Sequence, residues 1–143
     1  MIDFAIELPG DDHVAALEVL NRVSHWHRPP GRLYDTAEAD LSQPLFAGSS
    51  RAFFIKMAPG SNVYRHRDPP GVVDYFYTDH IVCSTNDRAF ICWDDEGVER
   101  SQHLDLGKRY RIVDRSVLHW AVNDGDTDRV HLLIEYPISR RRA

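Results

Sequence analysis

The chain has 143 residues, 43% of them hydrophobic, and its 17 Lys and Arg stand against 22 Asp and Glu for a net charge of -5. That length suits one domain around a single core, and the acidic balance argues against a general nucleic-acid binder, which needs clustered basic side chains against phosphate. No run reaches the roughly 20 apolar residues of a membrane-spanning helix, and the opening MIDFAIELPGDDH lacks the basic and apolar regions of a signal peptide. Cys83 and Cys92 lie in apolar, strand-like runs and read as buried reduced thiols, since two cysteines make no disulfide framework or zinc cage. Together these features point to the cytoplasm.

In chain order, residues 12–24 place Val14, Leu17, Leu20 and Val23 close to a helical period, with Asp11 or Asp12 as N-cap. Pro29-Pro30-Gly31 ends that element. Residues 31–50 are polar with interspersed Pro and Gly and read as a loop or weakly ordered segment. From Arg51 onward short strand-like runs follow one another: 51–57, 63–67, 75–77, 80–84, 89–93, 110–113 and 129–136. Turn signals at Pro59-Gly60, Pro69-Pro70-Gly71, Asp94 to Gly97 and Asp124-Gly125-Asp126 separate them. Strands at this spacing, with no helices between, predict an all-β barrel or double-sheet jelly roll. One domain over 1–143 is expected, with 1–50 covering the barrel as helix and loop, 51–136 forming its core, and 137–143 a basic tail around Arg140-Arg141-Arg142.

Eight histidines direct attention to metal and acid–base chemistry. His66 and Asp68 lie two residues apart at a strand end, a spacing that turns both side chains to one face. His119, after the 110–113 run, returns to the same end of a barrel. Two imidazoles and one carboxylate form a facial triad, the donor set of non-haem iron(II) oxygenases, with positions left open on the metal. The spacing alone is weak: eight His and sixteen Asp give about one His-x-Asp by chance, and His103-Leu104-Asp105 is a second copy. The surroundings favour the first pair, since Ala58-Pro59-Gly60 and Val63 lead into His66 and a Pro-Pro-Gly break follows. Ten residues beyond His119, Arg129 opens the last strong strand. Its planar guanidinium suits bidentate pairing with a carboxylate inside the barrel; the alternative is a surface ion pair with a nearby aspartate.

The ordered set Pro59-Gly60, Val63, His66, His80, Asp114-x-Ser116-x-x-His119, Asn123 and Arg129 resembles the aspartyl/asparaginyl β-hydroxylase family of 2-oxoglutarate oxygenases, from about Phe53 to Tyr136. The resemblance implies a double-stranded β-helix, cupin-like, here with a short N-terminal helix. It implies Fe(II) on His66 and His119 with Asp68 as third ligand, 2-oxoglutarate held through its C5 carboxylate by Arg129 with His80 nearby, and O2 as oxidant. The peptide-hydroxylating members lack the carboxylate ligand, so Asp68 makes the chain more similar to bacterial free-proline hydroxylases. A serine that contacts the cosubstrate in the peptide enzymes aligns with Ile55. The implied partner is a small amino acid or a peptide, with neither nucleic acid nor membrane involved.

Two other readings stay open on the residues. A cupin-type metal enzyme without 2-oxoglutarate would show a glutamate soon after paired histidines, and no Glu lies between His66 and Glu96. A non-catalytic β-barrel module would use the histidines structurally, although structural zinc is normally four-coordinate. Around the triad, Tyr64 and Arg67 are expected to face away from the metal, Trp120 to pack in the core, and His131 to be a satisfied core histidine. His25 and His27 could cover the site.

Overall fold

The computed structural model describes residues 4–68, 75–112 and 114–138, with Tyr75, Phe76 and Ile138 described through their backbone alone. The expected Pro69-Pro70-Gly71 break and the basic tail at 140–142 lie outside the described residues. In chain order the elements are β1 (Ala5–Leu8), α1 (His13–Asn21), β2 (Asp35–Glu38), a 3-10 turn (Pro44–Phe46), β3 (Arg51–Met57), β4 (Asn62–His66), β5 (Tyr75–Ser84), β6 (Ala89–Asp95), β7 (Val98–Gln102), β8 (Arg109–Ile112), β9 (His119–Asn123) and β10 (Arg129–Ile138). They form a six-stranded sheet ordered β1-β8-β5-β10-β3-β2 and a four-stranded sheet ordered β4-β9-β6-β7. Every pairing is antiparallel. This is the expected mainly β jelly roll of cupin type with one short N-terminal helix. Among the described residues no helix is long and apolar enough to cross a membrane.

Period-2 alternation decides what each face of the large sheet does. Along β10, Val130, Leu132 and Ile134 turn outward and pack with Ala52, Phe54 and Ile81 under α1, which contributes Ala16 and Val19. The alternate residues Arg129, His131, Leu133 and Glu135 face the barrel interior, where Arg129, Leu133 and Glu135 line a cavity. A second apolar cluster closes the interior, built from Phe4, Val82, Ile91, Trp93, Leu104, Tyr110 and Ile112. Strand β10 is thus a partition, with structural packing behind it and polar chemistry in front.

The first 50 residues do more than cover the barrel. Strand β1 pairs with β8 and β2 with β3, so they supply both edges of the large sheet. Asp12 is the N-cap residue of α1, but its side chain makes no capping bond because Arg109 Nη1 takes it at 2.8 Å. The runs at 75–77 and 80–84 are one strand, and β7 is a further strand paired to β6. Glu96 and Gly97 both have positive φ, 52° and 89°, the mark of a type I′ turn matched to strand twist.

Candidate active site

His66 and His119 meet because of a defect in strand pairing. Asn62 pairs with Val122 and Val63 with Ala121, which in regular continuation would set Arg65 opposite His119. The register instead shifts between Val63 and His66, and His66 pairs with His119. One extra residue on β4 turns the His66 side chain inward, as bulges next to active sites do. The two rings stand 4.3 Å apart, tilted at 55°.

Asp68 lies past the end of β4 and is tied to the loop before β9. Its backbone N–H donates to the Arg115 carbonyl at 2.9 Å, and Arg67 Nη1 donates to the Ser116 carbonyl at 2.9 Å. Asp114 Oδ1 accepts from the N–H and hydroxyl of Ser116, at 2.9 and 2.6 Å, which gives the Asp-x-Ser pair its role: it shapes the turn that presents Arg115 and His119. Asp68 Oδ2 then sits 3.1 Å from His119 Nε2 and 3.7 Å from His66 Nε2, and one ligand atom from each residue lies within 4.8 Å of the others. Burial pushes the Asp68 carboxyl up, but the hydrogen bond with His119 and the charge of Arg115 outweigh it and hold it below the usual range.

The tautomers follow from the hydrogen bonds. His66 Nδ1 lies 2.7 Å from the Tyr64 carbonyl and His119 Nδ1 2.6 Å from the Val117 carbonyl. A carbonyl only accepts, so each Nδ1 carries a proton and each Nε2 faces the shared point, where a bound metal would take its lone pair in place of the contact that His119 Nε2 makes with Asp68. The donor chemistry fits a divalent metal such as iron(II), with three positions open. By contrast His103 Nε2 lies 3.7 Å from Asp105 Oδ1 on the surface, its Nδ1 bonded to the Ala89 carbonyl; among the described residues only the His66 group gathers three possible ligands.

The triad opens on a cavity of about 940 Å³ lined also by His80, Arg129, Ile55, Arg115 and Glu135. Arg129 is 3% exposed, and among the described residues no carboxylate lies within ion-pair reach of it. Burial pushes its guanidinium down to about 9, so the cation remains charged at neutral pH yet uncompensated. That excludes the surface ion pair. His80 Nδ1 meets His131 Nδ1 at 3.0 Å, and burial drives His80 down to about 3 and His131 well below the ordinary imidazole range. Both are neutral, one nitrogen donates and the other accepts; His131 is a satisfied core histidine whose partner is the cavity wall.

One further expectation, for Tyr64, is corrected. Tyr64 does not turn away: it lines the cavity, and its ring lies 4.9 Å from that of His66, because residues two apart on a strand share a face. Trp120 is buried with Arg65 stacked over it at 3.8 Å, and His25 and His27 reach the cavity wall. Phe4, 4.9 Å from the His119 ring, gave no sequence signal. Glu135 could have been found by stepping in twos from Arg129.

A family model described as aspartyl/asparaginyl beta-hydroxylase matches residues 36–137. The chain belongs to that family. Within the aspartyl/asparaginyl β-hydroxylase family, the match spans β2 to β10 and so contains the triad, His80 and Arg129. Comparison with curated protein sequences finds no match. Among solved structures, a 2OG-Fe(II) oxygenase family oxidoreductase from Burkholderia pseudomallei has a TM-score of 0.70 at 13% identity, covering 94% of this chain and 84% of that one. A Pseudomonas putida prolyl-4-hydroxylase has a TM-score of 0.68 at 17% identity, covering 99% and 95%. The Drosophila melanogaster CENP-C cupin domain has a TM-score of 0.55 at 14% identity, covering 78% and 74%. At these identities the likeness is one of fold, and the fold hosts several functions.

Proposed function

We propose that the protein is a cytoplasmic Fe(II)- and 2-oxoglutarate-dependent dioxygenase that hydroxylates an unactivated C–H bond of an amino acid, or of an aspartyl, asparaginyl or prolyl residue in a peptide, with release of succinate and carbon dioxide. The observation that carries it is the pairing, in one cavity, of a three-ligand cluster with a buried arginine that meets no carboxylate among the described residues. Family membership supports the same reading. Iron(II), 2-oxoglutarate and O2 together supply the oxidant for the C–H bond.

The chain's own residues do the rest. His66 and His119 present Nε2 because backbone carbonyls hold their Nδ1 protons, and Asp68 stays ionised beside them. Arg129 anchors the C5 carboxylate of the cosubstrate, which offsets the burial of its charge. His80, on the neighbouring strand β5, orients that carboxylate. The apolar wall of Phe53, Ile55, Ile91 and Leu133 keeps water from the reacting region. A cupin-type enzyme without 2-oxoglutarate, or a binding module, leaves the buried Arg129 without a role.

Calorimetry of the protein loaded anaerobically with iron(II) tests the assignment. 2-Oxoglutarate should bind to wild type, and Arg129→Ala should weaken it by about 10² to 10³, the loss of one buried charge pair. Unchanged affinity in Arg129→Ala would remove the anchor.

A further inference from the structure

The cavity has two polar regions with different sign patterns. The deep region holds Arg129 and His80 and, among the described residues, no carboxylate. The outer region holds both signs. There Thr78, Glu135 and Arg51 form one cross-strand row on the inner face of the large sheet, and Arg115 lies across from it, 4.0 Å from Glu135 and 3.5 Å from Asp68.

This row is incompletely satisfied. Glu38 holds Arg51 with two bonds of 3.0 Å, so that arginine is committed. The Arg115–Glu135 contact is longer than the roughly 2.7–2.9 Å of a closed charge-assisted hydrogen bond, and burial pushes Glu135 above the usual carboxylate range. Thr78 is 4% exposed, sits on the cavity wall, and its Oγ1 has no hydrogen-bond partner. A buried hydroxyl left unpaired is destabilising and uncommon in a finished core. An acceptor and a donor of opposite charge, with an unused hydroxyl between strands, stand next to the ligand Asp68.

We propose that this row reads the head group of a free α-amino acid, with Glu135 and Thr78 taking the ammonium group and Arg115 the carboxylate. The proposal rests on the oxygenase reading for what happens next, since the head group would then lie beside Asp68 with its side chain turned to the metal. A residue inside a peptide has neither charge. It would leave Glu135 and Arg115 facing amides, and a site built for a charged group rejects the analogue that lacks it.

The test is calorimetry with iron(II)- and 2-oxoglutarate-loaded protein under anaerobic conditions, against the twenty standard amino acids and their N-acetyl and carboxamide derivatives. At least one free amino acid should bind, and blocking either end should weaken it by about 10²-fold, the scale of one lost buried charge contact. Glu135→Gln should weaken that amino acid without changing 2-oxoglutarate affinity. Thr78→Val, nearly isosteric, is the second variant should Glu135→Gln not fold, with a smaller loss of about tenfold. Equal or tighter binding of the N-acetyl amides, unchanged affinity in both variants, or no amino acid bound while 2-oxoglutarate binds would each overturn the proposal and leave the oxygenase reading intact. Failure of 2-oxoglutarate itself to bind would instead strike the oxygenase reading.

Discussion

At the scale of single residues, the interior is built from side chains that are poor stabilisers and good ligand partners. Arg129 is the clearest case, a buried cation pushed down to about 9. Arg129→Met should therefore raise the melting temperature of the ligand-free protein, by about 1–4 kcal/mol of stability, while abolishing stabilisation by 2-oxoglutarate. A thermal melt with and without the cosubstrate reads both effects. The His80–His131 pair makes a pH prediction. Both groups bind their proton in the unfolded chain near pH 6.5 but resist it when folded, His80 down to about 3. A depressed folded pKa means stability is present above 6.5 and lost as pH falls below it. Two such groups predict a loss of about 2–3 kcal/mol between pH 7.5 and 5.5, measured by urea unfolding of chelator-treated protein. A flat profile over that window would contradict the burial of two neutral histidines.

At the scale of elements, the site depends on a bulge and the scaffold on a charge cluster. Deleting Arg65 would restore regular β4–β9 pairing with His66 still opposite His119, and would put Tyr64 on the other face of the strand. The variant should therefore keep its β-sheet circular dichroism and hold divalent metal within about 10-fold of wild type by calorimetry, and a larger loss would mean that the extra residue itself shapes the ligand set. Behind the large sheet, fully buried Asp79 accepts from Arg109 at 2.7 Å and Arg111 at 2.7 Å, and Arg109 also reaches Asp12 and Tyr136. This cluster pins the start of α1 to β5, β8 and β10. Asp79→Ala should cost about 3–5 kcal/mol, because it strands two arginines, a loss that chemical denaturation would register.

Elements also show why some of the structure was legible in the residues and some was not. Strands β3, β5, β6 and β10 carry long apolar or alternating runs bounded by turn residues, and those signals are local. Strands β1 (AIEL), β2 (DTAE) and β7 (VERSQ) do not. They are edges whose order comes from a partner strand, which no window of sequence reveals. The same distinction holds in the site. Donor types and the Asp114-x-Ser116-x-x-His119 spacing are local and readable, so His66, Asp68 and His119 could be grouped. The bulge and the approach of Phe4 to His119 are matters of register, invisible until the strands pair, whereas the facing of Tyr64 was readable from its spacing of two from His66.

At the scale of the whole molecule, the large sheet divides labour between its faces. The outer face, packed on α1, stabilises; the inner face and the small sheet give up packing to a cavity with an acidic–imidazole cluster on one wall and the buried Arg129 on another. Gly125 marks how tightly the remainder is fitted, since a Cβ there would run into the side-chain amide of Asn86, which ties Asn123 to the turn before β10. The central claim, a metal on His66, Asp68 and His119 that accepts 2-oxoglutarate, is tested most directly by anaerobic absorption spectroscopy. Addition of 2-oxoglutarate to the iron(II)-loaded protein should raise a weak metal-to-ligand charge-transfer band in the green, absent in His66→Ala. Stoichiometric iron(II) binding with no such band on saturation with 2-oxoglutarate would contradict it.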